Sequence, residues 1–87
     1  MVLYKIYLGS PHNVERAREF MSVHFDGFTM YQAIGSWRGQ IEHCVVFEIV
    51  GKEDIFGIIK ATCVQLRNTF DQDCVMLVDQ NIGVNFI

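Results

Sequence analysis

The stretch Gly27 to Glu42, GFTMYQAIGSWRGQIE, sets a carboxylate, an indole, a phenol and three glycines within reach of one another. Arg38-Gly39 suits a two-residue turn between two strands, and the side chains from Phe28 to Ser36 then point alternately to the two faces of a sheet. With Trp37 paired to Gln40, the residues Tyr31, Ala33, Gly35 and Trp37 share a face with Glu42, Cys44, Val46 and Glu48. Gly35 stands directly opposite Glu42 and Trp37 diagonally from it, so a flat group can lie on the indole beside a carboxylate. The same Glu42 equally suits a rim ion pair with Arg38 or Lys5. Tyr31 lies about four residues further along the ribbon, roughly 13 Å at about 3.3 Å per residue. Within one subunit Tyr31 and Glu42 cannot clasp one small group, but Tyr31 of one subunit can meet Glu42 of the next. As a half-buried aromatic at an interface, Tyr31 would need no chemistry at all.

Other chemistries find less support. The glycines form neither GxxxxGK[ST] nor GxGxxG, and Gly35 to Gly39 is accounted for by the turn. His12, His24 and His43 fall in different elements without HxxxH or HExxH spacing, and Cys44 points away from His43, so no metal site is expected. A Cys-His nucleophilic pair is unsupported, since a buried cysteine is an inert small hydrophobe.

A chain of 87 residues makes one domain, residues 1–87, that buries only roughly 60 to 65% of its unfolded surface. Three cysteines, an odd number with no CxxC pair, read as reduced thiols in a cytoplasmic protein, so disulfides do not supply the missing stability. Hydrophobic residues make up 51% and mean hydropathy is +0.21, high for a small monomer. No apolar run approaches the roughly 20 residues of a membrane span, so the excess points to oligomerisation. The Met1 to Lys5 stretch begins like a strand, without an export signal. A net charge of −3 lacks the basic stripe that nucleic-acid binding needs and suits a small cationic ligand.

The elements that must position the hairpin follow from periodicity. Val2 to Leu8 is a strand with apolar residues on both faces. Ser10-Pro11 is an N-cap and first helical position, with Asn13 as an alternative cap, and Val14, Ala17, Phe20, Met21 and His24 place a helix over Pro11 to His24. On the return strand, through Val50, the row Ile41, His43, Val45, Phe47 and Ile49 is the better core face. Ile55, Ile59, Thr62, Cys63, Leu66 and Phe70 give a second helix over Glu53 to Thr69. Cys74 to Asp79 is a short strand, and Asn81 to Ile87 a tail that adds an edge strand or docks on a neighbour.

The order β-α-β-β-α-β is the ferredoxin-like α+β pattern, with a four-stranded antiparallel sheet and both helices on one face. The other face carries Leu3, Tyr7, Val46, Val50, Cys74, Met76 and Val78, too apolar to leave in water. Packing bare face to bare face in a homotrimer would enclose three equivalent clefts between subunits.

Two blocks of the chain resemble the small bacteriophage-encoded S-adenosylmethionine lyases, formerly called SAM hydrolases. One runs from Gly27-Phe28 and Tyr31 through Gly35, Trp37 and Gly39 to Glu42; the other covers Ala61, Cys63 and Gln72-Asp73-Cys74-Val75, similar to that family's last strand. The resemblance implies a trimer in the host cytoplasm with substrate between subunits, and cleavage of S-adenosylmethionine to 5′-methylthioadenosine and L-homoserine lactone without a cofactor. It implies Glu42 and Tyr31 as catalytic residues and Gly35, Ser36 and Trp37 as substrate-binding residues. Depriving host methyltransferases of their donor, and so blunting restriction, is the role such an activity would have. Two further readings stand beside it: a PII-like trimeric module that binds an adenine nucleotide and regulates a partner, and a purely structural oligomer.

Overall fold

The computed structural model describes residues 1–9, 11 and 13–87. Among them the chain forms β1 (Val2–Gly9), α1 (Val14–His24), β2 (Thr29–Trp37), β3 (Gln40–Gly51), α2 (Phe56–Thr69) and β4 (Met76–Asn81). The strands make one antiparallel sheet in the order β2-β3-β1-β4, and both helices cover the same face, the ferredoxin-like arrangement expected from the element order.

Alternation in β1 decides which face is which. Val2, Tyr4, Ile6 and Leu8 are buried, and they meet Val45, Phe47 and Ile49 of β3, Ala17 and Met21 of α1, and Ile59, Cys63 and Leu66 of α2. The predicted stripe of α2 is the stripe that packs; Ile55 and Phe70 flank it, half-buried. Tyr4 ends in the core and donates from its hydroxyl to the Lys52 carbonyl at 2.7 Å, so its one polar atom is satisfied.

Helix α1 starts three residues later than the Pro11 signal indicates. The extended Asn13 caps it, its side chain accepting from the Arg16 amide at 3.0 Å, and an amide cap of this kind ends the non-helical lead-in. The cap expected at Ser10 lies outside the described residues. At α2, a 3-10 turn over Glu53–Ile55 precedes the α-helix proper.

The last strand begins at Met76, not Cys74. Pairing between β1 and β4 ends at Tyr7 with Met76, because beyond it the Gln72 side chain lies against Gly9: a Cβ built there would stand 2.7 Å from Gln72 Oε1. Gln72 is held in that turn by its amide bonding the Arg67 carbonyl at 2.9 Å. Cys74 is exposed in the irregular stretch before β4 and does not line the sheet. Asn81 closes β4, the sheet edge, and residues 82–87 continue without regular structure, tied by the Ile82 amide to the Met1 carbonyl at 3.1 Å.

The core row expected on β3 is only half buried. Val45, Phe47 and Ile49 are covered, whereas Ile41 is 73% exposed and His43 is exposed too. Lengths explain this: the 12 residues of β3 span about 40 Å, while the 14 residues of α2 span about 21 Å, so the helices cannot cover the whole strand. The far half of the β2–β3 hairpin overhangs the helical layer, with Ile34 at 71% exposure on one face and Trp37 at 63% on the other.

Candidate functional site

The hairpin register is the one the spacing predicts. Trp37 pairs with Gln40, Gly35 with Glu42, Ala33 with Cys44 and Tyr31 with Val46. Arg38 and Gly39 both have positive φ, 50° and 78°, which identifies a type I′ turn whose twist matches that of the flanking strands. Gly35 contributes no side chain opposite Glu42, and a Cβ there would meet only the Glu42 carbonyl at 3.9 Å. The result is an open notch with a carboxylate on one strand, bare backbone on the other and an indole at the turn.

Neither cation considered as a rim partner is committed to Glu42. Lys5 lies 3.8 Å from Glu48, and the Arg38 guanidinium sits over its own neighbour Trp37, 5.4 Å from the ring centroid. Among the described residues Glu42 forms no ion pair, which leaves its charge to solvent or to a ligand. Arg38 covers one side of the indole and so restricts a stacked group to the other. Ser36 pairs with Ile41 on the opposite face of the ribbon from Gly35 and Trp37, so it borders the notch through its backbone.

Tyr31 shares the notch's face but stands four residue pairs away, about 13 Å along the ribbon. The fold thus brings Gly35, Trp37 and Glu42 together within one chain and keeps Tyr31 apart. Tyr31 has a different partner: its hydroxyl donates to Glu48 Oε2 at 2.8 Å. This bond, then burial, then the charge of Glu48, with smaller contributions from Tyr7 and Cys44, push the Tyr31 hydroxyl above the ordinary phenol range. The Lys5–Glu48–Tyr31 array was missed in the sequence, although the register carries its signal: Glu48 is diagonal to Tyr31 and faces Lys5 across β1.

The surrounding face is uncovered. A cross-strand row runs Tyr31, Val46, Tyr7, Met76, in which the tyrosines flank and bury Val46 while Met76 remains exposed. Val50 and Val78 add further exposed apolar surface. Two shallow grooves of 260 and 440 Å³ lie elsewhere, at the α2 and β4 side near Phe56, and neither includes Glu42, Trp37 or Tyr31. In a single chain the candidate site is an open face, with Glu42, Trp37 and Tyr31 all exposed. Among the described residues no group of three His, Cys, Asp or Glu side chains converges, and no helix is long and apolar enough to cross a membrane.

No protein-family profile and no curated protein matches the chain in sequence. Solved structures do share its fold. A phage SAM lyase in the apo state is similar over 91% of this chain and 78% of its own, at TM-score 0.73 and 21% identity. The PII-like protein CutA from Nostoc sp. PCC 7120, also apo, is similar over 94% and 81%, at TM-score 0.64 and 18% identity. The de novo designed protein Foldit4 matches over 94% and 98%, at TM-score 0.57 and 12% identity. At these identities the likeness fixes the fold, and a designed protein among the matches underlines that function must be argued from the site.

Proposed function

We propose that this chain is a lyase that cleaves S-adenosylmethionine to 5′-methylthioadenosine and L-homoserine lactone, in clefts between the subunits of a homotrimer. The observation that carries the reading is the notch itself: Glu42, without an ion-pair partner among the described residues, opposite the side-chain-free Gly35 and beside the exposed Trp37. The similarity to a phage SAM lyase supports the choice of substrate.

The chemistry asks little of the protein. A carboxylate oxygen of the substrate attacks its own γ-carbon, the C–S bond breaks, and the electron pair leaves on sulfur as a neutral thioether. The sulfonium and carboxylate charges vanish together, so an enclosed site of low polarity that holds the folded near-attack conformer favours the transition state over the ion pair. No protein nucleophile is required. Glu42 anchors the α-ammonium, Trp37 or the adjoining backbone of Gly35 and Ser36 packs against adenine, and Tyr31 of a neighbouring subunit reaches the reacting end. A neighbour is needed because one chain separates Tyr31 from Glu42 by about 13 Å.

Incubation with S-adenosylmethionine, followed by chromatography of methylthioadenosine and homoserine lactone, tests this directly. Wild type should yield both products, and Glu42→Gln should lower turnover about 10- to 100-fold, the range of a lost hydrogen bond to a charged group. Full activity in the variant removes Glu42 from the mechanism. Intact substrate with calorimetric binding would favour the second reading, a PII-like regulatory module, for which the similarity to CutA speaks.

A further inference from the structure

Tyr31 and Glu48 allow a finer statement about which end of the ligand Tyr31 meets; it rests on the S-adenosylmethionine reading. A phenol carries one proton, and that of Tyr31 is given to Glu48 Oε2 at 2.8 Å. Only lone pairs remain on its oxygen. Lys5 Nζ, 3.8 Å from the same Glu48 oxygen, holds the carboxylate from the β1 side, so the acceptor is fixed from two strands.

We propose that Glu48 is a positioning residue that fixes Tyr31 as a hydrogen-bond acceptor towards the ligand, so that Tyr31 reads the cationic sulfonium end of S-adenosylmethionine and turns away its carboxylate. An oxygen polarised by donating to a carboxylate carries extra negative charge, which attracts a sulfonium and its acidified methyl hydrogens. The same oxygen offers no proton to an anion. Discrimination between a charged and a neutral sulfur centre therefore depends on Glu48, a side chain that need not touch the ligand. The titratable groups facing the Tyr31 hydroxyl are Glu48 and Cys44 on β3 and Tyr7 on β1, with Lys5 of β1 beyond Glu48; the first three oppose phenolate formation, so the proton stays in place at neutral pH.

The test compares two inert ligands by calorimetry: sinefungin, whose amine stands in for the sulfonium charge, and S-adenosylhomocysteine, whose thioether is neutral. Wild type should prefer sinefungin. Glu48→Ala and Tyr31→Phe should each reduce that preference about tenfold, and the double variant no further, because the two residues act as one unit. Glu48→Gln, which keeps an acceptor without the charge, should fall between, and sedimentation verifies that all variants assemble alike. An undiminished preference in Glu48→Ala, or losses that add in the double variant, overturns the proposal. A ligand-free readout accompanies it: in protein labelled with ¹³C at the tyrosine ring, the Tyr31 resonance should titrate at lower pH in Glu48→Ala than in wild type. An unchanged midpoint also overturns the coupling. Wild type that binds neither ligand defeats the S-adenosylmethionine reading and the ligand half of this proposal together, while the tyrosine titration still decides whether Glu48 holds the proton.

Discussion

Tyr4 and Tyr31 stand on opposite faces of the sheet, yet both hydroxyls keep their protons beyond the ordinary phenol value of 10.0. For Tyr4 the chief cause is burial, aided by the negative charges of Asp79, Glu53 and Asp54; for Tyr31 it is the hydrogen bond to Glu48. Burial likewise raises the Cys63 thiol above 9.0. All three shifts favour the neutral form in the folded state. Their stabilisation is complete below the unfolded-state values and is lost as pH climbs through the folded ones. Urea midpoints should therefore hold from pH 7 to about 9 and fall progressively above it, Cys63 contributing first. Tyr31→Phe should flatten part of that fall. A midpoint that rises between pH 9 and 11 would contradict the assignment. At this scale the sequence showed the types but not all the partnerships. Glu42, Gly35 and Trp37 could be placed together because one turn sets their register. Glu48 was overlooked because Tyr31 faces Val46 directly and meets Glu48 only across a diagonal.

Among the elements, the β2–β3 hairpin was legible because strict alternation on both strands and a two-residue turn leave one register that keeps Val45 and Phe47 in the core. The turn is also where a substitution should tell most. Gly39 sits at φ 78°, so Gly39→Val should destabilise by about 1 to 2 kcal/mol in urea unfolding, whereas Arg38→Asn, at φ 50°, should be neutral or mildly stabilising. Equal stability of Gly39→Val and wild type would argue against a type I′ turn. Element ends were harder to read. The run from Cys74 to Asp79 is apolar without punctuation, and what delays β4 is a contact from Gln72 to Gly9, distant in sequence. The start of α1 turned on a choice between two capping signals, Ser10-Pro11 and Asn13, that local sequence ranks alike. Ile41 and His43 fit the core row by parity, and only the relative lengths of strand and helix reveal that no helix reaches them.

The whole molecule leaves one sheet face and the hairpin tip uncovered, and the proposed trimer would cover them. Met76 tests this at a distance from the notch: it is exposed at the end of the row Tyr31, Val46, Tyr7. Met76→Lys should shift the sedimentation coefficient from trimer towards monomer while helical circular dichroism persists, because a charge buried between subunits is costly and one facing water is not. An unchanged coefficient would place the interface on another surface. Assembly matters for the site because Trp37 and Glu42 belong to the part of the ribbon that no helix supports.

The strand order has a consequence for how the chain comes to its shape. In β2-β3-β1-β4 the first strand lies inside the sheet, where Val2 meets Gly51 on one side and Asn81 on the other. Those pairings close long loops and are entropically expensive to begin, whereas Trp37 finds Gln40 across a two-residue turn. During synthesis the hairpin can therefore zip before the last strand exists, and β1 must wait for partners made later. Gly35, Trp37 and Glu42, the residues of the notch, are the ones whose mutual geometry owes least to distant parts of the chain.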